Sequence, residues 1–256
     1  MILPENPPGF IIRTEVQKAA WDNGFRLQQG DDNGWLRFGS TTADIKVWIG
    51  GVPPAGPWLL AIDRADVAAE LGAAQEAVPA GPGYTRYVFD NLKALYDALD
   101  RVYHLAVSLP DAPFARFEAQ IKALPRTTEA ERLTIQRIGQ NLFRAALMAY
   151  WGRRCPLTGI PDPALLRASH IVPWAECSSD AERLDVHNGL LLSSLWDAAF
   201  DAGLVGFGDG GSVLISPTLS DSARGALEVT APRKLAGLSD AHRANLARHR
   251  QKYFLS

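Results

Sequence analysis

Two aspartates in the last third of the chain are spaced for metal binding. Asp197 and Asp201 lie four residues apart in W-D-A-A-F-D, and a helix would place both carboxylates on one face, one turn apart. Paired carboxylate oxygens suit a hard cation such as Mg²⁺, which usually keeps several of its waters. Like charges at this spacing also occur as solvated side chains, so the pair alone leaves both interpretations open.

The elements around this pair are predicted to be strand, loop, strand and helix. Leu165–Val172 has a β-compatible pattern, and Gly189–Leu192 is a short apolar strand that begins directly after Asn188. Leu195–Ala202 is predicted to be a short helix, ended by Gly203. A hairpin with a long polar loop therefore precedes the helix that carries the two aspartates.

The wider pattern resembles the HNH endonuclease signature. S-H-I-V-P, which contains His170, is followed by Asn188, Asp197 and Asp201 at intervals of 18, 9 and 4 residues. The resemblance covers residues 111–256, with the motif core at 155–208. It includes the helix I-G-Q-N-L-F-R-A-A-L-M-A-Y-W, the motif C-P-L-T-G and the terminal H-R-Q-K-Y-F. The chain looks most like the bacterial restriction-associated, McrA-like subgroup, which implies a ββα-metal fold.

The resemblance implies a role for each motif residue. His170 would be the general base that deprotonates water beside a scissile phosphate, a task that suits an imidazole at neutral pH. Asn188 would orient the His170 loop through hydrogen bonds to its backbone, although an ordinary turn residue is the alternative. Asp197 and Asp201 would hold a divalent cation, Mg²⁺ first and Mn²⁺ second, which stabilises the leaving 3′ oxygen. The products would carry 5′-phosphate and 3′-hydroxyl ends.

Ser169 departs from the pattern of many HNH proteins, in which a carboxylate or histidine ligand precedes the base. A hydroxyl binds a cation poorly, so Ser169 is only a candidate member of the metal shell. Either water fills this position, or the site is catalytically impaired. The resemblance favours water, because Ser-His occurs in this subgroup.

The two cysteines, Cys155 and Cys177, do not form a C-x-x-C pair. Their spacing argues against a disulfide framework and against a four-cysteine zinc site. We therefore expect two reduced thiols and no structural zinc.

Charge is distributed unevenly although the net charge is only −2. Two basic stretches, 114–167 and 233–256, flank an acidic one at 168–232, an arrangement that suits carboxylates holding a cation while arginines meet phosphates. Solvated helix faces or structural counter-ions are the alternative. The candidate DNA-phosphate contacts are Arg153, Arg154, Arg167, Arg183, Arg243 and Arg250.

The fold predicted for the whole chain is α+β in two domains. Short strands at Trp35–Phe38, Ile45–Ile49 and Trp58–Ile62 and helices at Thr14–Trp21, Asp63–Leu71 and Asp90–Val107 make a small N-terminal domain. The proline-containing segment 108–113 marks the boundary. We assign residues 1–110 to a recognition or specificity domain and 111–256 to a helix-flanked ββα-metal nuclease domain, which includes helices at Glu129–Trp151 and Ser239–Phe254.

These features predict a restriction-type endonuclease that hydrolyses double-stranded DNA, as a homodimer if both strands are cut. Dependence on cytosine modification follows only by analogy with McrA-like enzymes. A non-catalytic DNA-binding module and a protein-interaction factor remain the alternatives. The chain has no signal-peptide pattern and no apolar run of about eighteen residues, so a cytoplasmic location without a membrane partner is expected.

Overall fold

The structure is a computed structural model that describes residues 2–72, 80–125, 127–229 and 233–254. Two compact units, Met1–Val107 and Ser108–Ser256, divide the chain. No helix in the described ranges has the length and apolar character needed to cross a membrane. Helices and strands occur in both units, which confirms the α+β class.

Five strands of the N-terminal unit form an antiparallel sheet in sequence order. The strands are β1 (Leu27–Asp32), β2 (Trp35–Gly39), β3 (Val47–Gly51), β4 (Trp58–Ile62) and β5 (Thr85–Phe89). The helices of this unit are α1 (Phe10–Asp22), α2 (Ala65–Leu71) and α3 (Leu92–Ser108). Every residue of β3 and β4 is buried, so the middle of the sheet forms the core of this unit.

Sequence patterns did not identify the two edge strands of this sheet. All six residues of β1 are exposed, so its sequence L-Q-Q-G-D-D has no apolar alternation to detect. The start of α2 also differs from expectation. The predicted helix Asp63–Leu71 begins two residues later, at Ala65, with Arg64 as its N-cap residue. The Asp63 carboxylate accepts a hydrogen bond of 2.9 Å from the backbone N–H of Lys46.

The C-terminal unit places a two-stranded hairpin and a short helix among longer helices. Its strands are β6 (Leu166–His170), β7 (Gly189–Ser193), β8 (Val205–Phe207) and β9 (Val213–Ile215). Its helices are α4 (Asp111–Ile121), α5 (Glu129–Tyr150), α6 (Asp180–Leu184), α7 (Ser194–Asp201), α8 (Asp221–Ala226) and α9 (Asp240–Tyr253). β6 pairs antiparallel with β7, and β7 continues into α7 without a linker.

The segment 108–113 contains a helix start that the sequence analysis missed. α3 ends at Ser108 and α4 begins at Asp111, with Pro113 in its first turn. The first N–H groups of a helix have no intrahelical partner, so a proline there loses nothing. The prolines therefore separate two helices and do not exclude the second.

Close packing of α5 against the hairpin requires a glycine at the start of β7. A Cβ atom added at Gly189 would lie 2.5 Å from Cζ of Phe143 and 2.8 Å from Cδ1 of Leu147. Both side chains are on α5 and are almost completely buried. The absence of a side chain at position 189 thus sets the distance between the long helix and the strand pair.

We expect Gly189→Ala to destabilise the protein by about 1–3 kcal/mol, because the added methyl group overpacks a closed core. The midpoint of urea denaturation measures the effect. Gly225→Ala in α8 is the matched control, since a Cβ there meets nothing within 4 Å. It should leave stability unchanged or raise it by up to about 1 kcal/mol. Equal midpoints for the two variants would contradict this account of the packing.

Candidate functional site

The β6–β7 hairpin and α7 bring the motif residues together. His170 is the last residue of β6 and lies opposite Gly189, while Ser169 pairs with Leu190. α7 follows β7 directly and carries Asp197 and Asp201 on consecutive turns. The chain between the two strands, residues 171–188, forms a loop that includes α6 and leads back to Asn188.

The His170 side chain is held on two sides and at one nitrogen. Its ring stacks on Phe143 of α5, with centroids 3.8 Å apart and an interplanar angle of 16°, and it meets the edge of Trp174 at 5.5 Å. Nε2 lies 2.9 Å from the carbonyl oxygen of Arg183. A carbonyl oxygen can only accept, so Nε2 carries the proton of the neutral ring and Nδ1 has the free lone pair.

Burial lowers the pKa of His170, and the hydrogen bond to the Arg183 carbonyl offsets part of that effect. The imidazole is therefore neutral at physiological pH. A neutral imidazole with an unused Nδ1 lone pair is the form that a general base requires.

Asn188 is completely buried, and its side chain binds the loop that follows His170. Oδ1 accepts a hydrogen bond of 2.8 Å from the backbone N–H of Val172. Nδ2 lies 3.3 Å from the carbonyl oxygens of Val172 and Glu182 and from Sγ of Cys177. One amide thus satisfies backbone groups from both ends of the loop, which would be costly to bury without partners.

The carboxylate of Glu182 also stabilises this loop. Its carboxylate accepts hydrogen bonds from the backbone N–H and hydroxyl of Ser178 at 2.6 and 2.8 Å. It also pairs with Arg248 of α9 at 2.6 Å. The Arg248 bond, followed by the Ser178 bonds, lowers the pKa of Glu182 to about 2.

Asp197 and Asp201 form an acidic pair beside Ser169. The Ser169 hydroxyl donates a hydrogen bond of 3.3 Å to Oδ1 of Asp201, and it is only 2 % exposed. Burial raises the pKa of Asp197, against the Ser169 hydrogen bond and the charge of Arg167. Burial and the negative charge of Asp197 raise the pKa of Asp201, against the same hydroxyl.

The charge of this pair is not neutralised by an ion pair. No salt bridge in the described part of the chain includes Asp197 or Asp201. Two carboxylates that repel each other beside a hydroxyl fit a hard divalent cation. Across the described ranges no group of three or more His, Cys, Asp and Glu is arranged to hold a metal.

A cleft of about 370 Å³ opens between His170 and Asp201, whereas Asp197, Ser169 and Asn188 are not among its lining residues. His170 and Asp201 both line it, and α9 contributes His249 and Tyr253 to its wall. Trp174 lines it from the loop side. An imidazole base and an acidic group therefore face one space that is large enough for a phosphate group and water.

The six candidate arginines differ in their surroundings. Arg183 donates to the carbonyls of Trp174 and Cys177 and pairs with Asp180, so it supports the loop. Arg243 donates to the carbonyl of Asp209 and pairs with the carboxylate of Asp240. Arg250 donates to the carbonyl of Phe207 and pairs with the carboxylate of Asp209. These three have the contacts of structural counter-ions.

The remaining candidate arginines are exposed. Arg167 donates to the carbonyls of Ala164 and Leu166, and its charge acts on Asp197. Arg154 donates to the carbonyl of Gly159, and Arg153 lies just after the end of α5 with φ of 55°. None of the three lines the cleft.

Sequence analysis assigned no chemistry to Phe143, Trp174 or His249. Their contacts with His170 and the cleft join elements that are far apart in sequence, so periodicity could not indicate them. The sequence signal that linked α9 to the site was the terminal H-R-Q-K-Y-F, which is part of the resemblance.

Asn188→Ala is expected to cost about 2–5 kcal/mol of stability, because it leaves the buried Val172 N–H without its acceptor and removes a donor from the Val172 and Glu182 carbonyls. Urea denaturation measures the total, and hydrogen exchange of residues 171–188 localises it. Asn245→Ala is the control, since that side chain makes one hydrogen bond of 3.0 Å to the carbonyl of His187 and should cost about 1 kcal/mol. Equal losses and unchanged exchange in the loop would contradict the role given to Asn188.

Glu182 should make stability depend on pH in a defined window. In the folded chain the pKa of Glu182 is about 2, below the ordinary value of 4.5. The ionised carboxylate therefore contributes its full share to the free energy of unfolding above pH 4.5, and this share is lost as the pH falls toward 2. Glu182→Gln should therefore lower the melting temperature by a constant amount near neutral pH, and the deficit should shrink below pH 4.5. Asp221→Asn, at an exposed carboxylate, is the control. A deficit that persists undiminished to pH 3 would be inconsistent with this assignment.

Comparison with protein-family models matches residues 155–208 to a family described as HNH endonuclease. No curated protein matches the chain. The matched segment contains the hairpin, the loop and α7, and thus His170, Asn188, Asp197 and Asp201. The C-terminal half of this protein therefore contains an HNH domain.

Proposed function

We propose that this protein is a metal-dependent DNA endonuclease in which His170 is the general base. The observation that carries the proposal is the cleft shared by His170 and Asp201, in which the imidazole keeps its Nδ1 lone pair because Nε2 donates to a carbonyl. The HNH endonuclease family match supports a nuclease and DNA as its substrate.

His170 would take a proton from a water molecule through Nδ1. The Arg183 carbonyl fixes the tautomer and stabilises the positive charge that forms on the ring as the proton arrives. Phe143 holds the plane of the ring, so that Nδ1 keeps one direction during the attack. General base catalysis of this kind contributes about 10²–10⁴-fold to the rate.

Asp197 and Asp201 would hold a divalent cation, with the Ser169 hydroxyl orienting the carboxylate of Asp201. Their oxygen donors fit Mg²⁺ or Mn²⁺ better than a soft metal. When bound, such a cation polarises a non-bridging phosphate oxygen and stabilises the leaving 3′ oxygen. Cleavage on that side gives 5′-phosphate and 3′-hydroxyl ends.

Asn188 would act through His170 by fixing the loop that supplies the Arg183 carbonyl. Its amide binds Val172, next to the end of β6, and Glu182, next to Arg183. The position of the hydrogen-bond acceptor for His170 therefore depends on the Asn188 amide. We class Asn188 as a positioning residue in this proposal.

The biological setting proposed is a restriction system. A small ββα site contacts mainly the DNA backbone, so specificity, including any dependence on cytosine modification, would come from the N-terminal unit. That unit carries more acidic than basic residues, which limits a purely electrostatic hold on DNA. A homodimer would place two sites on the two strands.

A non-catalytic DNA-binding module is the second candidate. The observation that favours it is Ser169, which occupies the position where many HNH proteins have a charged ligand. Among the described residues, no group of three or more His, Cys, Asp and Glu could hold a metal. Such a module would bind DNA without cutting it. A plasmid-cleavage assay separates the two candidates.

Plasmid cleavage tests the proposal. Supercoiled DNA, unmodified and cytosine-methylated, is incubated with the protein and Mg²⁺, Mn²⁺ or EDTA. We expect loss of supercoiled DNA only with metal, and a fall of about 10²–10⁴-fold for His170→Ala. Asp197→Asn should lose activity and metal affinity together, whereas Asp221→Asn should cut like the wild type.

Intact plasmid in every lane, at protein concentrations that retard DNA in a gel, would favour the non-catalytic module. Cleavage that survives His170→Ala at the wild-type rate would remove this histidine from the mechanism. Ligation of the product ends, with and without phosphatase treatment, checks for the 5′-phosphate.

A further inference from the structure

The terminal helix α9, which lies outside the matched segment 155–208, contacts both walls of the cleft. On the loop side, Arg248 pairs with Glu182 at 2.6 Å and Lys252 pairs with Glu176 at 2.5 Å. Asn245 also donates to the carbonyl of His187. These contacts attach α9 to the loop that holds His170.

On the opposite wall, α9 contacts the end of α7. Nε2 of His249 lies 3.1 Å from the carbonyl oxygen of Phe200, and its ring stacks on the Phe200 ring with centroids 4.0 Å apart and planes within 5°. The Tyr253 hydroxyl lies 3.4 Å from the carbonyl oxygen of Asp201. The last turn of α7, which carries Asp201, is therefore fixed by two side chains of α9.

His249 has one nitrogen that these contacts do not use. Nε2 must carry the proton, because the Phe200 carbonyl can only accept, so Nδ1 has a lone pair. Nδ1 is buried and has no hydrogen-bond partner in the described part of the chain, although the residue is only 4 % exposed. A phenylalanine would make the same stack without a buried unsatisfied nitrogen, so packing alone does not explain an imidazole here.

We propose that His249 is a positioning residue for the cation site, fixing the Asp201 turn through the Phe200 carbonyl. The inference rests on the proposed function, because it requires a divalent cation at Asp197 and Asp201. Groups one step beyond the ligands set their orientation and commonly change metal affinity about 10–100-fold. His249 thereby extends the site beyond the segment that the family model matches.

Mn²⁺ binding to the full chain, measured by calorimetry without DNA, tests the inference independently of activity. Two variants separate the polar role from packing. His249→Phe keeps the stack on Phe200 and loses both nitrogens, whereas His249→Gln keeps an N–H donor and loses the stack. Arg250→Gln is the matched control, since its guanidinium binds Asp209 and the Phe207 carbonyl and does not line the cleft.

We expect Mn²⁺ affinity and melting temperature to rank the two His249 variants in opposite orders. Mn²⁺ affinity should fall about 10–100-fold in His249→Phe and less in His249→Gln, while the melting temperature in EDTA should be higher for His249→Phe than for His249→Gln. Arg250→Gln should bind Mn²⁺ like the wild type. The crossed order supports positioning, because a purely structural role would move affinity and melting together.

Wild-type Mn²⁺ affinity in His249→Phe would overturn the inference while leaving the cation site intact. Affinity and melting that fall in the same order across both variants would also overturn it. If the wild type binds Mn²⁺ no better than Asp197→Asn, the proposed cation site itself fails, and the inference fails with it. The comparison with Asp197→Asn therefore tells the two failures apart.

Discussion

The buried amide of Asn188 is the contact on which the geometry of the site depends. A loop between two short strands presents many peptide groups, and burying them without partners is unfavourable. The Asn188 side chain supplies an acceptor to the start of the loop, at Val172, and a donor to the carbonyl of Glu182 within it. The Arg183 carbonyl, and with it the proton on His170, takes its position from this arrangement.

The acidic side of the cleft is organised by a different constraint. Asp197 and Asp201 repel each other, and the Ser169 hydroxyl, which has a single proton, cannot donate a full hydrogen bond to both carboxylates. The helix holds the two charges together because α7 is anchored by its own Trp196 and Phe200, which lie one turn apart and are buried. Folding therefore carries a local electrostatic cost that a bound cation would remove.

This strand, loop, strand and helix could be predicted because each is marked by local signals: a β-compatible pattern in β6, a short apolar run from Gly189 in β7, and aspartates one turn apart in α7. Sequence analysis could not identify Phe143 as the face on which His170 stacks, since that contact joins α5 to β6. The edge strand β1 gave no signal because no residue in it is buried. α4 was missed because Pro110 and Pro113 are helix breakers only in helix interiors. Charge counting proposed six arginines for DNA, but charge alone does not distinguish a free guanidinium from one that is already bound to carbonyls.

The ring of Phe143 has two neighbours at once: it stacks on His170, and its Cζ fills the space that a side chain at position 189 would need. Residues 143 and 189 are therefore expected to change together among descendants of this sequence. A larger residue at 189 would need a smaller one at 143, such as leucine, together with a shift of Leu147, whose Cδ1 would lie 2.8 Å from the added Cβ. That exchange would restore the packed volume but remove the aromatic face from the imidazole. Selection for a folded protein and selection for a well-oriented histidine would thus favour different pairs at these two positions.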